Sequence, residues 1–264
     1  MGQVRVMEKS VMLTQGELMV PCKISAPEDG RLQRIVLGVH GFGGSANDVI
    51  QSGLAEEMAL FDSVAFRFDF PAHGESPMSD RDFSLKNCVG TLLEVARFAR
   101  EQYPQLEDLC VFATGFGAYV TLVALEQLLA LPGRVKLVVQ TPSIRMDETL
   151  LAMRGLTRET FWALDRFTIP AARPFDVTYS FYEELTENSV MAPCPIPMLI
   201  LQGEKDAYIR MADIRQFREL NEGSKLVIIP GASHRFQEEG AWDMVLDLTR
   251  DWFEFEQVLL TDWS

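Results

Sequence analysis

Two side chains late in the chain and one absent side chain near its middle define the chemistry open to this sequence. Asp206 closes the run Pro197-Met198-Leu199-Ile200-Leu201-Gln202-Gly203-Glu204-Lys205, and His234 follows Leu226-Val227-Ile228-Ile229-Pro230-Gly231-Ala232-Ser233. A carboxylate that orients an imidazole and stabilises its protonated form turns the histidine into a general base. Such a base needs a nucleophile to deprotonate. The stretch Val111-Phe112-Ala113-Thr114-Gly115-Phe116-Gly117-Ala118 has the pattern of an elbow, where a strand turns sharply into a helix and holds a serine at its tip between small residues. Ala113, Gly117 and Ala118 supply the small flanks. The tip is Gly115, which has no side-chain atom to attack a carbonyl.

Alternating strands and helices must position these residues. Val4 to Ser25 reads as one or two antiparallel strands broken at Gln15-Gly16, and Arg34 to His40 is a short apolar run that suits a buried strand. Ala46 to Phe61 has helical spacing, Val64 to Phe68 is the next strand, and Ser84 can cap a helix running to about Arg100. Leu109 to Thr114 is a third buried strand, with an apolar helix over Phe116 to Leu131 behind it. Val135–Gln140, Pro197–Gln202 and Lys225–Ile229 complete the strands, and a long helix from about Gln237 to Leu260 closes the chain. This alternation predicts a mostly parallel sheet covered on both faces. One insertion, at about 142–195, interrupts it with helical stretches at Met146–Leu156 and Arg158–Phe167 and then a Pro-rich, aromatic passage. Between two strands and over their carboxyl ends, it is expected to form a small cap within a single domain.

Further motifs fall on strand ends. His40-Gly41-Phe42-Gly43-Gly44 is a glycine-rich turn able to aim a backbone N–H at an oxyanion, and it reads equally well as a plain tight turn. In Phe68-Asp69-Phe70-Pro71-Ala72-His73-Gly74-Glu75-Ser76, Asp69 and His73 sit in a turn whose proline and glycine point to a structural loop. Each piece alone is weak; five in this order on strand ends are strong.

With these motifs in place, the chain resembles the α/β-hydrolases from its first hairpin to its last helix, and the order of tip residue, Asp206 and His234 is the order of that superfamily. Within it the chain is most similar to small carboxylesterases and serine-aminopeptidase-like hydrolases, including the cinnamoyl and feruloyl esterase group, whose cap exit Phe175 to Leu185 resembles. The resemblance implies Asp206 as triad acid, His234 as base, and the backbone N–H groups of Phe42 and Phe116 as the oxyanion hole. It implies no cofactor. It also implies a small ester or amide-like ligand, and Phe42, Trp162 and Tyr179 are candidate substrate contacts.

Gly115 departs from the family pattern. Without a serine no acyl-enzyme can form at the tip, and losing a triad nucleophile costs on the order of 10⁶ in turnover. Thr114 precedes the tip and points elsewhere, Cys110 reads as a buried thiol, and Ser233 as support for its loop. A water held by His234 is the remaining route, and a slow one. Glycine accepts the positive φ of a strained tip without the cost serine bears, so the exchange removes chemistry and keeps the fold. That fits a chain that has given up catalysis, and equally an engineered change in an esterase active in its natural form. Intact Asp206 and His234 favour recent loss, engineering or residual function.

Composition bounds the rest. With 264 residues, 47% hydrophobic and 23% charged, the chain can bury one sizeable core. Its formal charge of -14 argues against nucleic acid. Cys22, Cys88, Cys110 and Cys194 lack CxxC spacing and, beside only three histidines, give no zinc pattern. No signal-like core and no run near the roughly 20 apolar residues of a spanning helix is present. A cytoplasmic monomer or homodimer away from membranes is expected.

Overall fold

The structure, a computed structural model, describes residues 5–257. The expected ends at Val4 and Leu260 lie outside them. The chain opens with β1 (Val6–Gln15) and β2 (Leu18–Pro27), an antiparallel pair in continuous register about Gln15↔Leu18. The parallel strands follow: β3 (Arg34–Val39), β4 (Ser63–Phe68), β5 (Asp108–Thr114), β6 (Arg134–Gln140), β9 (Met198–Gly203) and β10 (Lys225–Ile229). Their order, β1-β2-β4-β3-β5-β6-β9-β10, makes one eight-stranded sheet that is antiparallel only at β1, β2 and β4's outer edge. β3 to β6 and β9 are buried almost throughout, as strands covered on both faces must be.

Alternation along β5 shows how the two faces are built. Leu109, Val111 and Ala113 join one core with α2 (Leu85–Gln102), α3 (Gly115–Val123) and α4 (Leu125–Leu129). Cys110 and Phe112 join the other, with α1 (Val49–Leu60) and α9 (Ala241–Phe255). Side-chain caps set helix starts: Ser84 Oγ accepts from Asn87 N, as expected, and Asp48 Oδ1, which sequence reading did not single out, accepts from Gln51 N. α1 therefore begins at Val49 rather than Ala46, whose N–H is spent on Asp69 Oδ1. The single helix expected over Phe116–Leu131 is two, parted at Ala124. The last helix starts at Ala241, because Gly240 at its N-cap takes φ 74°. α8 (Met211–Leu220), between β9 and β10, is an element sequence patterning passed over.

Between β6 and β9 lie α5 (Met146–Arg154), α6 (Arg158–Leu164), the two-stranded sheet of β7 (Arg166–Ile169) and β8 (Phe175–Thr178), and α7 (Tyr179–Glu187). The hairpin takes residues 166–167 from the expected end of the second helical stretch and orders the Pro-rich passage. Arg173 at its turn donates to the carbonyls of Ser76 and Met78, fastening it to the loop after β4. Tyr119 Oη, on α3, reaches the Asn188 carbonyl at 2.7 Å, so the elbow helix is tied to the end of α7. Among the described residues no helix is long and apolar enough to cross a membrane.

Candidate active site

Three loops at the carboxyl edge of the parallel strands converge on Gly115. The elbow itself is built by close packing. Gly115 takes φ +50°, and at Gly117 an added Cβ would strike the carbonyls of His40 and Val39, the latter at 2.7 Å. Only glycine lets α3 start this near the end of β3. Gly203 plays the same part at β9, where a Cβ would lie 2.6 Å from the Ala232 carbonyl. That contact draws the histidine-bearing loop over the sheet edge.

Asp206 and His234 meet here. His234 Nδ1 lies 2.8 Å from Asp206 Oδ2, with the Asp206 side chain 1% exposed and that of His234 27%. Tyr208 and Ile209 amides donate to Asp206 Oδ1 at 2.8 and 3.0 Å, and Gln202 Nε2 to Oδ2 at 3.1 Å. Burial opposes the carboxylate's charge, but the hydrogen bond and charge of His234 and the two amides outweigh it, and the carboxyl is held below its usual range. The ionised carboxylate places the ring proton on Nδ1 and leaves Nε2 as the basic nitrogen. A Cβ built on Gly115 would lie 4.0 Å from that Nε2, 3.9 Å from Ser143 Oγ and 3.9 Å from Gly41 Cα. Nothing blocks a side chain at the tip. A serine Oγ, one C–O bond further out, falls within hydrogen-bond reach of His234, about 2.6–3.2 Å.

The glycine-rich turn after β3 packs on the tip. Gly44 N bonds Gly41 O at 3.0 Å and Gly43 has φ 73°, a turn that leaves the Phe42 N–H out of its own hydrogen bond. Phe116 N lies in the first turn of α3, whose amides have no intrahelical acceptor. The turn is braced by two buried imidazoles. His73 Nε2 accepts from Gly43 N and His40 Nε2 from Phe70 N, both at 3.1 Å. Their Nδ1–H groups donate to the Pro71 and Gly41 carbonyls at 2.8 Å. A nitrogen that accepts from an amide cannot carry a proton, and burial pushes His40 down to about 4 and His73 to about 3. Asp69 is likewise occupied, taking the amides of Ala46 and Glu75 at 2.7 and 2.8 Å. Both residues of that loop are structural, as its turn residues indicate.

The other sequence candidates are placed as follows. The Phe42 ring is half-buried against Phe116 and Phe175. Trp162 is 70% exposed on α6, and Tyr179 packs with Phe161 and Tyr182 inside the insertion, its Oη accepting from Arg158. Neither joins the ring of atoms around Gly115. Thr114 Oγ1 turns to the Val39 carbonyl at 3.4 Å, and burial raises the Cys110 thiol to about 12. The residue that sequence reasoning missed is Ser143, just beyond β6, whose hydroxyl faces the tip. A serine after a proline in a loop carries no spacing signal, so only the fold reveals it.

Beside His234, whose ring meets Tyr208 edge-on at 5.1 Å, opens a cavity of about 340 Å³ lined by Ile144, Leu151, Leu156, Tyr208 and Ile209. Arg145, Glu148, Thr149, Arg210 and Asp213 line it too, and both arginines are paired, with Asp213 and with Glu148.

A buried carboxylate–imidazole pair under a strand-to-helix elbow, on the carboxyl edge of a parallel sheet, defines a hydrolase class. The sequence matches the alpha/beta hydrolase family over residues 36–248, and the chain belongs to that family. Among solved structures it is similar to Est1E from Butyrivibrio proteoclasticus with ferulic acid bound, at 17% identity over 95% of this chain and 100% of that one, TM-score 0.80. A putative hydrolase from Agrobacterium vitis is 18% identical over 93% and 98%, TM-score 0.76. Mouse alpha/beta hydrolase domain-containing protein 10 is 17% identical over 94% and 100%, TM-score 0.72. At such identities the likeness is one of fold. No curated protein matches the sequence.

Proposed function

We propose that this chain is a carboxylic ester hydrolase scaffold that binds a small ester or amide-like ligand without ordinary serine catalysis. In this reading Gly115 occupies the nucleophile position, Asp206 and His234 are the acid and base, and the Phe42 and Phe116 amides are the oxyanion donors. One observation carries it: the space around a Gly115 Cβ is open, and its polar neighbours include the nitrogen a serine would need, 4.0 Å away. Everything but the hydroxyl is in reach.

The apolar wall of the adjoining cavity, Ile144, Leu151, Leu156 and Ile209, suits an acyl or aryl group, and the pairing of Arg145 and Arg210 favours a neutral ligand over a second carboxylate. Ferulic acid in Est1E supports the same ligand class. The residues between β6 and β9 act as the cap, since Arg173 and Phe175 press the hairpin onto the loops around the tip. A net charge of -14 argues against a nucleic-acid partner, and four free cysteines suit the cytoplasm.

Turnover of p-nitrophenyl butyrate tests the reading. The expected result is a rate for this chain far below that of Gly115→Ser, whose strong activity is abolished by adding His234→Ala. A folded Gly115→Ser protein with no activity would overturn the ester site.

A further inference from the structure

Ser143 lies on the loop that leaves β6, and this loop is locked to the elbow. Its N–H donates to the Gly115 carbonyl at 3.1 Å, and two residues earlier Thr141 N donates to the Leu201 carbonyl at 2.7 Å. Thr141 holds φ 43°, an uncommon state for a β-branched residue that persists only where its surroundings impose it. The Ser143 backbone therefore has a defined position, which sets its side chain at the edge of the tip. Ser143 is 5% exposed, and among the described residues its Oγ has no hydrogen-bond partner. His234 Nε2 has none there either, its Nδ1 being engaged by Asp206. Both atoms border one point: the site of a Gly115 Cβ, 3.9 Å from Ser143 Oγ and 4.0 Å from Nε2. Neither atom is sealed from solvent, so water reaches both, and two unpartnered polar atoms that face one slot of side-chain size suit a single bridging water, which takes two to four polar partners.

We infer that Ser143 Oγ and His234 Nε2 jointly hold a water in the space a tip side chain would fill, and that this water is the nucleophile of a slow, direct hydrolysis of activated esters. The inference rests on the ester-site reading above. The water gives one proton to Nε2 as its oxygen bonds to the acyl carbon. The carbonyl π pair moves to oxygen, where the Phe42 and Phe116 amides receive it. When the tetrahedral species collapses, the C–O bond to the leaving group breaks and the alkoxide takes the proton from Nε2. Ester and water become acid and alcohol, and no bond to the protein forms. Ser143 itself is not the nucleophile, because no hydrogen bond joins its Oγ to the base. It accepts the water's second hydrogen, which directs a lone pair of the water oxygen into the cleft.

The test is p-nitrophenyl acetate hydrolysis by this chain, Ser143→Ala, Ser143→Thr, His234→Ala and Gly115→Ser, with thermal melts of each. The parent time course is expected to be linear without a burst, and a fluorophosphonate to leave its intact mass unchanged. Ser143→Ala is expected to lower kcat about tenfold, the size of one lost hydrogen bond to the reacting water, with the pH profile keeping its shape, and Ser143→Thr to restore most of it. A Ser143→Ala rate equal to the parent's, or a phosphonyl adduct on Ser143, would overturn the water site. If Gly115→Ser is active while the parent is no faster than His234→Ala, the water fails and the ester site stands. If Gly115→Ser is folded and inactive, both fail.

Discussion

Restoring a side chain at the elbow tip should cost stability, and the structure sets the amount. Gly115 has φ +50°, where a residue with a Cβ is disfavoured by about 1–2 kcal/mol. Replacing glycine also removes freedom from the unfolded chain, which returns about 0.4–1 kcal/mol. The nearest neighbours of the new Cβ stand 3.9 to 4.0 Å away, ordinary contact, so no steric cost is added. Gly115→Ala should therefore lose about 1 kcal/mol, or about 2–4 °C in Tm for a chain of this size. Gly115→Ser meets the same backbone cost but gains a hydrogen bond to His234, a net of about 0.5–1.5 kcal/mol. Serine is therefore expected within about 0.5 kcal/mol of glycine, and alanine below both.

Gly117→Ala is the internal control. Its Cβ would meet two backbone carbonyls, Val39's at 2.7 Å, and backbone cannot swing aside as a side-chain tip can. A loss of about 3 kcal/mol or more is expected, two residues from a position where alanine is mild. Urea unfolding with linear extrapolation measures all four proteins, with an unchanged m-value as the check that the unfolded state is comparable. Adding His234→Ala should erase the difference between serine and alanine at position 115. An alanine variant as stable as the parent would refute the strained tip. A serine–alanine gap that survives loss of His234 would refute the hydrogen bond.

Two other outcomes follow from the site's titrating groups. His40 and His73 are neutral in the fold, at about 4 and about 3 against 6.5 when exposed, so their contribution is complete above 6.5 and is lost as pH falls toward the folded values. At about pH 5 each should cost about 2 kcal/mol relative to neutral pH, and urea unfolding that gives equal free energies at the two pH values would exclude the buried neutral pair. Asp206 has the opposite sign: its depressed carboxyl stabilises the fold above the ordinary value of 3.8 and ceases to do so as pH drops through the folded one. In the Gly115→Ser background, Asp206→Asn should lower kcat about 10⁴-fold by releasing the wrong histidine tautomer, and an esterase assay showing less than a tenfold loss would contradict that role.

The parts of this fold legible in the sequence are those where burial writes a pattern. β3 and β5 are covered on both faces, so each is a continuous apolar run between turn residues. α8 escaped because only Ile214 and Phe217 are buried among its charged neighbours. The β7–β8 hairpin escaped because its strands are four residues long and its fastening, Arg173 to backbone carbonyls, has no periodicity. At the site, Gly115, Asp206 and His234 could be picked out because each ends or follows a strand. Ser143 could not: its place depends on how the loop after β6 is held to the elbow, a long-range fact that no local spacing records.

The survival of Asp206 and His234 beside a glycine has a physical reason apart from catalysis. The Asp206 side chain is 1% exposed, and its charge is held by His234, two backbone amides and Gln202. Removing the imidazole would leave a buried carboxylate short of one hydrogen-bond donor, a loss of about 1–3 kcal/mol. The same carboxylate receives the Tyr208 and Ile209 amides and so shapes the turn that leads into α8. A change at either position must first survive that loss, whereas glycine at position 115 relieves backbone strain. The pair is thus kept by the fold whether or not it has a serine to serve. Its presence alone does not argue for activity.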